Sequence, residues 1–133
     1  MSQENVEVVR DGYRVFRSQG LDALVARLDP DFEFVEDPRF PEAGVYRGRE
    51  ESAAYWRQFM EEWERWEFEL EDAQDVGGDE VLVRFMIRGR GKGSGLETEF
   101  EALWLWTVRD GRIVRCRAFL DMAEARKAAG LTE

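Results

Sequence analysis

The stretch that decides the fold runs from residue 80 to residue 120. It reads Glu80-Val-Leu-Val-Arg-Phe-Met-Ile-Arg-Gly-Arg90, then a glycine-rich link to Gly95, then Glu97-Thr-Glu-Phe-Glu-Ala-Leu-Trp-Leu-Trp-Thr-Val108, the turn Arg109-Asp-Gly111, and Arg112-Ile-Val-Arg-Cys-Arg-Ala-Phe-Leu120. Each run alternates with the period of two that a strand requires. Val81, Val83, Phe85 and Ile87 share one face of the first run. Phe100, Ala102, Trp104 and Trp106 share a face of the second, and Val114, Cys116, Ala118 and Leu120 a face of the third. None of these is charged, so they predict the inner face of an antiparallel sheet. The opposite positions are Leu82, Arg84, Met86 and Arg88, then Glu99, Glu101, Leu103 and Leu105, then Ile113, Arg115, Arg117 and Phe119. Arg and Glu on neighbouring strands can pair, at about 0.2–1 kcal/mol each. The large apolar groups among them predict a homodimer interface, with a solvated outer face as the alternative.

Outward from this stretch, Trp66 to Val76 alternates as well and turns at Gly77-Gly78-Asp79 into the residue 80 strand. Gly48 to Trp63 predicts a helix with Tyr55, Trp56, Phe59, Met60 and Trp63 along one stripe. Residues 38 to 48 hold two prolines and two glycines and predict a loop. Asp31 to Asp37 alternates as a strand that ends at Pro38. Glu4 to Gln19 carries Val6, Val9, Tyr13 and Phe16 at helical spacing, and Leu21 to Leu28 predicts a second short helix before Pro30. At the other end, Asp121 and Glu124 form a capping-box pattern before a closing helix that Gly130 terminates. The fold class is α+β: one curved antiparallel sheet wrapped around three N-terminal helices, with a short C-terminal helix, in a single domain of 133 residues.

Composition narrows the chemistry. Lys plus Arg number 19 against 29 Asp plus Glu, for a net charge of −10, and histidine is absent. No His-dependent triad and no His-ligated zinc can form. The charge disfavours nucleic acid as a partner. One cysteine, Cys116, excludes an internal disulfide, and its mid-strand place predicts a buried apolar group, not a nucleophile. No apolar run approaches the length of a membrane span, and residues 1–5 lack the pattern of a signal peptide, so a cytoplasmic protein is expected. Neither metal nor cofactor is expected. Nine Phe, five Trp and three Tyr suit an apolar ligand cavity or a filled aromatic core. Gly89 to Gly95 precedes a strand, not a helix, which argues for a hairpin loop at a pocket rim over a phosphate loop.

With this element order in view, the chain resembles the nuclear transport factor 2-like superfamily, of which SnoaL-like and ketosteroid-isomerase-like domains are members. The ending Asp110-Gly-Arg-Ile-Val-Arg115, followed by Phe119-Leu-Asp121 and Ala128-Ala-Gly-Leu131, is similar to SnoaL-like sequences. The resemblance implies a cone-shaped sheet enclosing an apolar pocket, and a dimer through the outer sheet face. Val35-Glu36-Asp37-Pro38 looks like the segment that carries the catalytic base of ketosteroid isomerase, and Tyr13 stands where that enzyme has its catalytic tyrosine. The resemblance thus implies Asp37 as base and Tyr13 as oxyanion donor, with Tyr55-Trp56 in place of a Phe-Tyr pair. Trp104 occupies the position of the family's second oxyanion donor, a carboxylic acid.

The expected site is therefore a pocket formed by Phe16, Phe34, Tyr55, Trp56, Phe59, Phe85, Trp104, Cys116 and Ala118, with Asp37 and Tyr13 at its chemistry. Burial in apolar surroundings would raise the pKa of Asp37 and suit it to abstract a proton beside a carbonyl. Glu36 is expected to point outward, and Tyr46 and Tyr55 are weaker alternatives to Tyr13. Two functions stay open: cofactor-free proton transfer on a small hydrophobic metabolite, or a non-catalytic dimeric ligand-binding or scaffold domain whose outer face presents Arg84, Arg88, Glu99, Glu101, Leu103, Arg115, Arg117 and Phe119.

Overall fold

A computed structural model describes residues 2–131. Two helices, α1 (Ser2–Gln19) and α2 (Leu21–Val25), lead into strand β1 (Leu28–Val35) and the short strand β2 (Val45–Arg47). Helix α3 (Arg49–Glu61) follows, then strands β3 (Trp63–Gly77), β4 (Glu80–Gly91), β5 (Glu97–Arg109) and β6 (Arg112–Phe119), and helix α4 (Met122–Ala128). The strands form one curved, unclosed sheet in the order β2-β1-β6-β5-β4-β3.

The meander from β3 to β6 is antiparallel, as the alternation requires. Two of its turns are two-residue loops with both residues at positive φ: Gly78 (60°) with Asp79 (65°), and Asp110 (51°) with Gly111 (76°). This is the geometry that matches the right-handed twist of a hairpin. The sheet departs from the expected all-antiparallel form at β1, which pairs β6 in parallel. Helix α3 and the meander lie between these two strands in the chain, and such a crossover permits parallel pairing. The expected 38–48 loop also contains β2, paired with Glu33–Val35. The second helix stops at Val25, and β1 starts early, at Leu28. Pro30 is tolerated there because the β1–β6 register shifts between Leu28 and Glu33.

One core lies between the inner sheet face and α1 and α3. It includes Val6, Val9, Phe32, Phe34, Tyr55, Trp56, Val81, Val83, Phe85, Ala102, Trp106 and Cys116. Strand parity predicts nearly all of its sheet members. Ile113 is the exception: a register shift after Thr107 turns it inward, and Val114, expected inside, is only half-buried. A second cluster lies on the opposite face, where α4 sets Ala125 and Ala129 against Leu82, Leu103 and Leu105. Leu103 is thereby 2% exposed. The apolar surface that suggested a dimer interface is thus partly covered by the chain's own C-terminal helix. What remains outside is a ladder of ion pairs, including Arg84–Glu101, Arg88–Glu99, Arg88–Glu69 and Arg115–Glu33, while Arg117 lies over the Phe119 ring. Among the described residues, no helix is long and apolar enough to cross a membrane.

The side chain of Asp121 caps α4 by accepting hydrogen bonds from the backbone N–H groups of Ala123 and Glu124. Glu124 does not complete a capping box; its carboxylate pairs with Arg39 instead. Because α4 seals the second cluster, Leu103→Ala should cost about 2–5 kcal/mol. Urea unfolding would read this as a lower midpoint at unchanged slope. An unchanged midpoint would mean that α4 does not cover this face.

Candidate functional site

The site begins with the parity of β1. Phe32 and Phe34 are fully buried on the inner face, and the same alternation carries Glu36 inward just past the strand end. Glu36 is 7% exposed and lines the main cavity. One carboxylate oxygen accepts the Asp37 backbone N–H at 2.9 Å, and the other accepts the Tyr55 hydroxyl at 2.6 Å. Tyr55 is itself held by stacking on Tyr46, with ring centroids 4.4 Å apart. Burial raises the pKa of Glu36, and the two hydrogen bonds, which favour the carboxylate, oppose that shift. Burial also raises the pKa of Tyr55, and the adjacent Glu36 adds to the effect.

Asp37 takes the opposite side. It is 1% exposed, yet it is absent from the cavity lining. Arg39 grips it twice, through Nε at 2.8 Å and Nη2 at 2.6 Å, and the Arg39 backbone N–H adds a third contact at 2.9 Å. The backbone N–H of Leu120, just past β6, donates at 2.9 Å to Oδ2, the oxygen that also accepts Arg39 Nη2. Arg39 also reaches Glu124 at 2.8 Å, so the group ties the end of β1 to the end of β6 and to α4. The hydrogen bonds from Arg39 outweigh burial and hold the Asp37 pKa at about 2. The expectation of a raised Asp37 pKa in an apolar pocket is therefore corrected, as is the outward placement of Glu36. The alternation of Phe32 and Phe34 was the signal that assigns the two carboxylates the right way round.

The cavity has a volume of about 100 Å³ and lies between the helices and the inner sheet face. Of the expected lining, Phe16, Tyr55, Trp56, Phe59, Phe85 and Trp104 are present. Phe34, Cys116 and Ala118 are not; they are buried one layer behind, in the core. Burial raises the pKa of the Cys116 thiol, in keeping with the small buried group that was expected. Tyr13, expected at the site, lines the cavity from α1, and the sheet adds Phe68 and Trp106. Tyr13 accepts a hydrogen bond from Trp106 Nε1 at 3.1 Å, which leaves its own O–H proton available. Burial pushes its pKa up, so the hydroxyl stays protonated and able to donate. Tyr46, one of the weaker alternatives, supports Tyr55 from behind. No lysine or arginine reaches the lining. Among the described residues, no group of three or more Cys, Asp or Glu is placed to hold a metal ion.

The two carboxylates should separate in a stability titration. The Asp37 pKa lies below its unfolded value, so its stabilisation is complete above pH about 4 and is lost as pH falls toward 2. Asp37→Asn should cost about 2 kcal/mol at pH 7, and less as the solution is acidified. Glu36 has the opposite sign. Its raised pKa means that ionisation disfavours folding, so Glu36→Gln should gain on the wild type as pH rises above the ordinary glutamate value of 4.5. Denaturant unfolding of both variants between pH 3 and 8 checks this, and equal pH responses would contradict it.

The comparisons agree with this architecture. The sequence profile of the SnoaL-like domain matches residues 9–116. An NTF2-like protein from Burkholderia thailandensis is similar over 91% of this chain and 95% of its own, at 30% identity and a TM-score of 0.79. A candidate SnoaL-like polyketide cyclase from Jannaschia is similar over 99% of this chain and 95% of its own, at 23% identity and a TM-score of 0.75. TerC, crystallised with polyporic acid, is similar over 96% of this chain and 98% of its own, at 18% identity and a TM-score of 0.74. No curated protein matches the chain. The profile match spans the helices that wall the cavity and the strands that floor it, and by that match the chain belongs to the SnoaL-like domain family.

Proposed function

We propose that the cavity binds a small, neutral, single-ring metabolite and that Glu36, with Tyr55 hydrogen-bonded to it, exchanges a proton with a carbon beside the ligand's carbonyl. The observation that carries this reading is the place of Glu36 in the lining of a cavity that is otherwise uncharged and mostly aromatic, where burial raises its pKa. A base that works near neutrality needs a pKa shifted in this direction. Size excludes a steroid: an apolar cavity of about 150 Å³ holds benzene, and this one, at about 100 Å³, is smaller, so even a single ring enters only as the lining side chains give way. With no cationic side chain in the lining, a carboxylate or phosphate ligand would meet only Glu36 and be repelled.

The chemistry balances without a cofactor. Glu36 takes a proton from the carbon, and the electron pair moves onto the carbonyl oxygen as an enolate. Tyr13 donates to that oxygen, and its own acceptance of the Trp106 N–H polarises its hydroxyl for donation. Return of the proton to the same or a conjugated carbon completes an exchange or an isomerisation. A second reading rests on a specific observation: both Glu36 oxygens already accept hydrogen bonds, which suits a settled structural pair in a binding domain that does no chemistry.

Acetophenone in D2O distinguishes the two. Under the first reading the protein accelerates deuterium incorporation into the methyl group, and Glu36→Gln lowers the protein-dependent rate by about 10²–10⁴. Asp37→Asn, measured where it is folded, keeps it. Tyr55→Phe removes a hydrogen bond that favours the carboxylate, so the inflection of the pH–rate profile moves upward. A wild type no faster than buffer would leave the binding role alone.

A further inference from the structure

The cavity, at about 100 Å³, is smaller than one that holds benzene, so a ring enters only where a wall yields. The walls differ in how firmly they are held. Helix α3 presents Tyr55 and Trp56 to the cavity, and both are buried. Helix α1 is anchored by Val6, Val9 and Val15, all buried. Helix α2 supplies Leu21 and Leu24 to the lining, yet none of its five residues is buried. A single helical turn has little stability of its own, and an element with few buried contacts opens at low cost.

The connections of α2 suit such movement. The Gly20 N–H closes α1 on the Phe16 carbonyl at 3.0 Å, and Gly20 itself stands at φ 94°, a conformation open to glycine, so the two helices meet at a flexible break. Leu24 also lines a second, smaller void together with Gly12 of α1. A Cβ at Gly12 would meet Leu24 Cδ1 at 3.5 Å, an ordinary contact, so α1 offers Leu24 no side chain at that point. The polar tie from α2 to α3 lies at the surface. Arg57 Nη2 donates to Asp22 Oδ1 at 2.8 Å, and the Asp22 side chain is 92% exposed. An ion pair this exposed is weak.

We infer that α2 is the gate of the cavity: it swings about Gly20 to admit a ligand between α1 and α3, and the Asp22–Arg57 pair latches it shut. The inference rests on the proposal that the cavity binds a ligand, and it adds the route by which that ligand enters and leaves. Ligand exchange is then set by the motion of α2.

The test ties α2 to α3. Asp22→Cys and Arg57→Cys are combined in the full chain, and the two thiols are joined by dithiobismaleimidoethane, whose disulfide a reductant cleaves. Neither residue lines the cavity. Cys116 is buried, with a thiol pKa raised by burial, and stays unmodified. The probe is 4-fluoroacetophenone, and ¹⁹F exchange spectroscopy reads its rates of entry and exit. The unlinked double variant should exchange the probe at least as fast as the wild type. Linking should slow entry and exit together, about tenfold or more, with affinity nearly unchanged. Cleavage of the linker should restore the unlinked rate.

A linked chain that exchanges the probe at the wild-type rate, or a slowing that persists after cleavage, overturns the inference while the cavity reading stands. A wild type that does not bind the probe removes the cavity reading and the gate with it.

Discussion

The placement of two adjacent carboxylates on opposite sides of one strand end governs the rest of this site. Glu36 continues the inward face of β1, and Asp37 is clamped outward by Arg39 and by the Leu120 backbone. A carboxylate in an aromatic cavity is costly to ionise unless it is hydrogen-bonded. Glu36 has such bonds from Tyr55 and from the Asp37 backbone, and the second depends on the clamp that fixes the Asp37 peptide. Arg39 then carries the same clamp to Glu124 on α4. One local network thus places the carboxylate of the cavity and meets the first turn of α4, which its apolar residues hold on the sheet.

Around this network the interior is built from rings. Tyr13, Phe85, Trp104, Trp106 and Trp56 form a continuous chain of aromatic contacts, from Tyr13–Trp106 at 5.9 Å through Trp104–Trp106 at 5.7 Å to Trp56–Trp104 at 6.0 Å. Such pairs prefer tilted, stacked or edge-to-face geometries, and the space left between these rings and the helices is the cavity. Trp104, standing where the resemblance expects an acid, is part of that aromatic lining. Proteins of this fold serve unrelated ends, so the cavity's own residues must carry the functional argument. A largely aromatic lining with one carboxylate and no cation is what the proposed reaction on a neutral carbonyl compound rests on.

Much of this was legible in the sequence. Alternation placed Val81, Val83, Phe85, Ala102, Trp106 and Cys116 inside, and the Asp-Gly turn fixed the β5–β6 hairpin. Local pattern could not show the parallel pairing of β1 with β6, because residues far apart in the chain make it. The inward turn of Ile113 escaped for a related reason: a single register shift reverses parity beyond it. Periodicity likewise does not reveal that a short helix folds back over part of the outer apolar set, Leu82, Leu103 and Leu105. The interchange of Glu36 and Asp37 is different in kind. The alternation of Phe32 and Phe34 contained the answer, and the family's motif outweighed it. Trp56 lay on the correct helix stripe, yet only the coordinates show that its N–H has no partner.

The central claim is that Glu36, not Asp37, is the carboxylate of the cavity. A ¹³C NMR titration of the side-chain carboxyl groups tests it most directly, with Glu36→Gln and Asp37→Asn used for assignment. The account predicts that Asp37 titrates near pH 2, while Glu36 titrates above the ordinary glutamate range. A raised pKa at Asp37 with an ordinary one at Glu36 would contradict it and return the base to the position that the family resemblance assigns.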